Sequence, residues 1–302
     1  MIGQALSKEL LRRNYDVIIL TRDKRKRKNE TNISYAEWDV DKGTIDRDAI
    51  ARADHIIHLA GANVAEKRWT DQRKKEIVNS RVKSGKLIVQ ALSQTSNKVK
   101  AVLSSSAIGL YGPDGHASTR KQFMEADPAH HDFLGVTSKQ WEEAIEHVAT
   151  LDKRLVIFRT GIVLSNAGGA FAEFKKPLHF RVATIMGSGK QIVSWIHIDD
   201  LARLYIEAIE NETWNGVYNA VAPHPVSNKM LIKTIAEHSG KKHFSFHVPE
   251  LILKTVLGEM SIEVLKSATV SSKKIESMGF QFSYPDIDSA VKDLLNQKPE
   301  PY

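Results

Sequence analysis

The chain has 302 residues, 42% of them hydrophobic and 26% charged, with a net charge of +7 and no cysteine. That composition suits a globular protein with a sizeable core. It excludes disulfides, thiolate metal sites and cysteine nucleophiles, and it fits a reducing cytoplasm. No apolar run approaches the roughly 18 residues that a membrane span needs, so no membrane is expected as a partner.

The N-terminus, Met1-Ile2-Gly3-Gln4-Ala5, has neither a basic region leading into an apolar core nor a small-residue cleavage site, so it does not read as a signal peptide. A helix is predicted from Gln4 to Arg13, with no strand before it, and Val17-Ile18-Ile19-Leu20 follows as a buried strand. In a doubly wound sheet the first strand lies centrally and delivers the glycine-rich turn. Losing four or five buried side chains at about 1.5–3 kcal/mol each would cost about 10 kcal/mol, which rivals the stability of a whole domain. The expectation is therefore that the natural protein starts upstream and that Met1 is an internal methionine; the alternative is a rearranged sheet.

Arg22, Lys24, Arg25, Lys26, Arg27 and Lys28 then crowd one short stretch. Such a run is a solvated loop, a nucleic-acid contact or an anion pocket for a cofactor phosphate. No aromatic residues interleave with it to stack bases, and no recognition motif accompanies it, so no nucleic acid is expected.

Ile56–Ala60, Ala101–Ser104 and Leu155–Phe158 repeat the buried-strand form. Between them, Asp71–Gln94 carries Ile77, Val78, Val82, Ile88, Val89 and Leu92 at helical spacing, and Thr137–Val148 does likewise with Trp141, Ala144, Ile145 and Val148. Past Gly161 the texture changes. Gly168-Gly169 and Gly187-Ser188-Gly189 read as turns or as mobile loops over a site, Ile192–Ile196 as a strand, and Asp199 or Asp200 as the cap of a helix through Leu201, Leu204, Tyr205, Ala208 and Ile209. Alternating strands and helices define an α/β, Rossmann-type doubly wound parallel sheet with a smaller, mainly helical C-terminal substrate lobe. The expected division is 1–165 with 186–222 returning to it, and a lobe of 166–185 and 223–302.

An ordered set of segments carries a resemblance. It runs through His58-Leu59-Ala60-Gly61, Trp69-Thr70, Ser80-Arg81-Val82, Ser105 to Gly112, Trp141-Glu142, Arg159 to Leu164, Gly168-Gly169-Ala170 and Gly187 to Gln191. It continues with Trp195 to Leu201, Asn219 to Pro223, Leu257-Gly258-Glu259-Met260 and Gly279-Phe280-Gln281-Phe282. Together they resemble an atypical subgroup of extended short-chain dehydrogenases/reductases, the "epimerase family" proteins of the NAD-dependent epimerase/dehydratase type. In that light, Met1-Ile2-Gly3 looks like the end of a G-x-x-G-x-x-G turn, with Ile2 and Gly3 at the helix N-terminus that faces a pyrophosphate.

The resemblance implies a nicotinamide cofactor, and the residues after the first strand bear on which one. An NAD site usually ends its second strand with a carboxylate on the ribose hydroxyls. Here Thr21-Arg22 stands there instead, and arginine binds a 2′-phosphate with a planar fork of donors. NADP(H) is therefore expected over NAD(H), with Asp23 as the objection. The resemblance further implies that Leu59-Ala60-Gly61 passes the cofactor ribose, that Val163 brings its backbone beside the nicotinamide, and that Asp39-Val40 contacts adenine. Glu76 and Arg81 reach the ribose and phosphates, or form an ordinary solvated helix face.

Typical family members carry Ser, Tyr and Lys, with tyrosine and lysine four positions apart on one helix; tyrosine transfers the proton. Here that helix reads Asp132-Phe133-Leu134-Gly135-Val136-Thr137-Ser138-Lys139, so Gly135 or, in a shifted frame, Leu134 occupies the tyrosine position. Neither has a proton to give. Ser105 and Ser106 remain at the strand end, where a hydroxyl steadies a carbonyl or merely satisfies local backbone. Tyr111 is the nearest phenol, either a substitute acid or a packed tyrosine. Ser106 and Tyr111 are thus the catalytic candidates and Ser105 a cofactor contact, with Glu125 a base if buried. His197 reads as structural, Trp195 as cleft wall or core, and adjacent His130-His131 do not converge on a metal. Two functions remain. One is an NADP(H)-binding oxidoreductase or epimerase-like enzyme on a small polar substrate such as a nucleotide sugar. The other is a catalytically silent cofactor-binding sensor or scaffold. A homodimer is left open.

Overall fold

The computed structural model describes residues 1–115 and 122–297; the last five residues of the expected lobe lie outside them. Helix α1 (Ile2–Arg12) buries Leu6 and Leu10, one turn apart on a single face. Three strands follow, β1 (Val17–Thr21), β2 (Ile33–Asp39) and β3 (Thr44–Ile45), in the order β1-β2-β3 with β1 and β2 parallel. Helix α2 (Arg47–Arg52), capped by Asp46, leads to β4 (His55–His58), the long α3 (Asp71–Gln94), β5 (Ala101–Ala107), α4 (Phe133–Glu146) and β6 (Arg154–Thr160). The chain then leaves the sheet through β7 (Ile162–Leu164), α5 (Gly169–Lys175), β8 (Val182–Met186), β9 (Ile192–Val193), β10 (Trp195–His197) and α6 (Ile198–Glu210). It returns as β11 (Gly216–Ala220), which completes a parallel sheet ordered β11-β6-β5-β4.

Alternation along the strands decides the layers. Ala101, Leu103, Val156 and Phe158 face α1 and α6, in a core with Leu201, Leu204, Tyr205 and Trp214. Val102, Leu155 and Ile157 face α3 and α4, meeting Ile88, Leu92, Ile145 and Val148. Buried on both faces, these strands read as continuous apolar runs, as parallel strands do. The sheet is nevertheless in two pieces. β1 and β4 each have one hydrogen-bonded neighbour and do not pair with each other. The break lies between β1 and β4. Val17 and Ile57, on its two sides, are only partly buried against the α1 core.

The remaining elements are β12 (Val226–Ser227), α7 (Asn228–His238), β13 (Phe244–Val248), α8 (Glu250–Leu257), α9 (Ser261–Leu265), α10 (Lys273–Ser277) and α11 (Ile287–Asn296). A second core joins α5, β8, α7 and α11 through Phe171, Ile185, Leu231, Ile235 and Leu294. Trp195 is fully buried in it, its indole N–H donating to the carbonyl of His224, so it is core and not cleft wall. This part of the chain is not helical throughout, because β8 and β13 form a parallel pair. No described helix is long and apolar enough to cross a membrane.

Two local expectations are corrected. Ile192–Ile196 is not one strand: β9 pairs with β12 and β10 with β7. Between them the Ser194 hydroxyl donates to the Ala268 carbonyl and accepts from the Val270 N–H, which bends the chain from one partner to the other. Neither Asp199 nor Asp200 caps α6. His197 does, its Nδ1 accepting from the Asp199 N–H. Asp200 is fully buried and accepts instead from the N–H groups of Ser283 and Tyr284 and from Arg203.

Candidate functional site

The N-terminus of α1 has no side-chain cap, so its first N–H groups are available to an anion. It is enclosed by two other elements. A Cβ added to Gly3 would lie 3.7 Å from Leu59 Cδ1, in the loop that follows β4. Gly169, at φ +73°, sits between Met1, whose Sδ would be 3.3 Å from an added Cβ, and the Val163 carbonyl at 3.8 Å. The structure thus gathers Ile2, Gly3, Leu59 and Val163 at one end of the sheet.

The same loop explains Gly61. A Cβ there would lie 3.0 Å from the Arg81 guanidinium carbon, so the backbone rests on the arginine itself. Arg81 donates to the carbonyls of Ala62 and Ile77 and lies 4.8 Å over the Trp141 ring. Burial, helped by nearby Arg73, pulls its pKa down to about 10. No carboxylate pairs with it among the described residues. Glu76 takes a different direction. It is exposed and binds Arg73 at 2.7 Å, which also holds Glu66 and the Asn63 carbonyl. Arg81 and Glu76 are therefore parted, one beneath the Leu59–Ala62 loop and the other on the outer face of α3.

Thr21 ends β1, and Arg22 after it is exposed, with no hydrogen bond or ion pair among the described residues. Asp23 turns away into the following turn. It accepts from the backbone and side chain of Arg25, which hold its carboxyl below the usual range. Asp39 likewise accepts from the N–H groups of Asp41 and Lys42 in its own turn.

The strand ends of β5, β6 and β11 carry a buried polar network. Ser105 and Ser106 point to opposite faces, as neighbours in a strand must. The Ser105 hydroxyl meets the Tyr205 phenol at 2.7 Å on the α6 side. Ser106 donates to Glu142 of α4 at 2.6 Å. Arg159 grips the same carboxylate with two donors, at 2.9 and 2.8 Å, and donates to the Tyr111 hydroxyl at 2.9 Å. Tyr111 in turn donates to Asn219 at 2.7 Å and stacks on Phe123. Its phenol is fully buried, and burial pushes its pKa up to about 12. Glu125 belongs to this network: its carboxylate accepts from the Asn219 N–H and its carbonyl from Arg159.

The position expected for the family's tyrosine is closed by backbone. A Cβ at Gly135 would fall inside the His130 carbonyl, so no side chain fits there. Leu134 packs on Gly109, and Lys139 is exposed beside Glu143. Glu142, Arg159 and Asn219 were given no role from sequence. The one available signal was Arg159, a charge inside the apolar strand Leu155–Thr160 that had to find a buried partner.

His197, Asp199 and Asp293 also come within 4.8 Å of one another. Because the His197 Nδ1 accepts the helix-capping N–H, the neutral ring carries its proton on Nε2, which faces Asp293 at 3.3 Å.

An α/β sheet with an uncapped helix N-terminus and two loops gathered at its strand ends defines a Rossmann-type dinucleotide-binding fold. Residues 1–220 match the NAD dependent epimerase/dehydratase family, and residues 248–294 match a domain of unknown function, DUF1731. The chain belongs to the NAD-dependent epimerase/dehydratase family, as a member of its "epimerase family protein" group. It is 35% identical to an epimerase family protein of Staphylococcus saprophyticus over 98% of this chain and 96% of that one. Among solved structures it is similar to the human epimerase family protein SDR39U1 with NADPH, at 26% identity and TM-score 0.84, covering 99% and 97% of the two chains. A nucleoside-diphosphate sugar epimerase from Corynebacterium glutamicum is 28% identical with TM-score 0.75, over 98% of this chain and 56% of that one.

Proposed function

We propose that this protein binds NADP(H) and acts as an epimerase-like oxidoreductase on a small polar substrate of the nucleotide-sugar kind, in the cytoplasm. The observation that carries the reading is the convergence of the free α1 N-terminus with Leu59 and Val163, together with an exposed arginine after β1 that has no partner among the described residues. These residues fit the cofactor. The α1 amides take the pyrophosphate, the Leu59-Ala60-Gly61 backbone passes the ribose, and Arg81 beneath it supplies uncompensated positive charge. Val163 lies beside the nicotinamide, with Ser105 at the adjoining strand end. Thr21 and Arg22 hold the 2′-phosphate; Asp23, whose carboxylate is committed to Arg25, does not oppose it. The NADPH of the human relative agrees with this choice. Bound there, the cofactor supplies hydride transfer; residues 166–185 and 223–302 form the substrate lobe.

Ser106 is the hydroxyl closest to the chemistry, oriented by Glu142 and Arg159, and Tyr111 is the phenol behind it. A second reading, a catalytically silent cofactor sensor, is favoured by one specific observation. The hydroxyls of Ser105, Ser106 and Tyr111 are all hydrogen-bonded inside the protein, and Gly135 excludes the usual tyrosine.

Parallel fluorescence titrations with NADPH and NADH test the cofactor. Arg22→Ala is expected to weaken NADPH by about 1.5–3 kcal/mol, the value of a charge-assisted contact, and to leave NADH nearly unchanged. Equal weakening of both removes Arg22 from the phosphate site. Tight binding without turnover across a panel of carbonyl and nucleotide-sugar substrates selects the sensor.

A further inference from the structure

β8 and β13 pair in parallel, so both strands begin at the same end of their small sheet. The residues that enter them are alike. Lys175-Lys176 and His179-Phe180-Arg181 lead into β8, and Lys241-Lys242-His243 leads into β13 at Phe244. The register sets Phe244 beside Val182, and its N–H donates to the Arg181 carbonyl, so the two leading segments meet there. Phe180 is 83% exposed and Phe244 81%; Phe246, two residues on and on the same face of the strand, is 56% exposed. The other face of the sheet is closed, with Ala183 and Ile185 packed on Leu231 and Ile235 of α7. Aromatic rings gathered in the open mark a surface that something else covers. Their surroundings are basic. Arg181, Lys241 and Lys242 are exposed and have no ion pair among the described residues. The nearby groups of either sign are already matched: Lys175 is spent on Asn166, Glu173 holds Lys176 at 2.6 Å, and Glu250, beyond Pro249 at the far end of β13, lies 3.7 Å from Lys254. The aromatic end therefore carries three uncompensated positive charges.

We propose that this end of the β8–β13 sheet docks the protein on an anionic bilayer surface, the phenylalanine rings entering the headgroup boundary while Arg181, Lys241 and Lys242 meet lipid phosphates. A bilayer offers hydrocarbon directly beneath a layer of negative charge, and this end offers the complement of both side by side. The lysine stems lie along apolar surface while their ammonium groups stay among the headgroups. A polynucleotide draws most of its affinity from phosphate contacts, and three cations beside three bare rings suit lipid better. The contact is shallow. β13 has β8 as its one strand neighbour, so the backbone groups on its outer edge need water and stay out of the hydrocarbon. No described helix spans a membrane, and none is needed, because the protein lies on the bilayer and does not cross it. The inference is independent of the cofactor.

Co-sedimentation of the full chain with vesicles of phosphatidylglycerol and phosphatidylcholine in equal parts is expected to show saturable binding that weakens with salt. Vesicles of phosphatidylcholine alone should bind far less. Lys241→Ala and Lys242→Ala should each weaken binding about fivefold, the value of one basic residue near such a surface. Phe180→Ser combined with Phe244→Ser should weaken it roughly tenfold or more. Met230→Ser, which removes an exposed apolar side chain from α7, should change nothing. If the phenylalanine variant fails to fold by circular dichroism, the lysine variants decide alone. A chain that ignores anionic vesicles overturns the proposal. So does binding indifferent to lipid charge or to these substitutions, and so does an equal loss in Met230→Ser, which is general stickiness. Binding of a single-stranded oligonucleotide, or self-association, through the same residues and without vesicle binding reassigns the face and overturns it too.

Discussion

At Glu142 one carboxylate serves both Ser106 and Arg159, and the three side chains are almost wholly enclosed. Removing one partner of such a pair costs about 3–5 kcal/mol, because the other charge is left buried and alone. Glu142→Ala is expected to lose that much stability in urea titration, whereas Glu142→Leu with Arg159→Met should lose markedly less. A second residue sets a pH dependence. His58 is held between the hydroxyls of Ser104 and Ser84, and burial pushes its pKa down to about 4. Between pH 6.5 and 4 the unfolded chain binds a proton at this site that the native one refuses, so stability falls as pH falls through that window. The loss is on the order of 3 kcal/mol by pH 4. His58→Gln should flatten this part of the stability–pH curve, and an unchanged slope would exclude His58 as its source. Residues of this kind were hard to read in the sequence. Arg159 was visible as a charge in an apolar strand, but its partner Glu142 sits on a helix whose other face is ordinary surface. The closure of Gly135 depends on where the His130 carbonyl lies, which no local pattern records.

Among elements, strands and helices with strong periodicity were legible and their joints were not. β5 and β6 announced themselves as apolar runs because both faces are buried, and β1 as the same kind of run although it is only partly buried. The α6 cap was misread because Asp199 and Asp200 are ordinary capping residues, while the real cap is a histidine ring nitrogen. Asp200 was consumed by a contact with Ser283 and Tyr284, more than eighty residues away. The division of Ile192–Ile196 has the same origin, a serine that answers to Ala268 and Val270. The sheet break gives a prediction at this scale. The amides of β1 and β4 that face the break lack strand partners, whereas β5 is paired on both sides. Hydrogen exchange is expected to be fast at alternate positions of β1 and β4 and slowest in β5. Uniform protection across β1, β4 and β5 would mean that the two sheet pieces are hydrogen-bonded in solution.

For the whole molecule, the order of elements was enough to identify the α/β architecture, since strands and helices alternate along the first two-thirds of the chain. The β8–β13 pair was not foreseen, because β8 buries only Ala183 and Ile185 and β13 buries no residue fully. The largest excursion lies between β6 and β11, neighbours in the sheet separated by the segment from Gly161 to Asn215. That layout bears on biosynthesis. A ribosome delivers Glu142 and Arg159 well before Asn219, the residue that receives the Tyr111 hydroxyl. While the chain is still short of β11, one edge of β6 is bare and the Tyr111 hydroxyl, which accepts from Arg159, lacks its own acceptor. Polypeptides halted in that interval should be chaperone clients and protease substrates, and release from both should coincide with the emergence of residues 216–220.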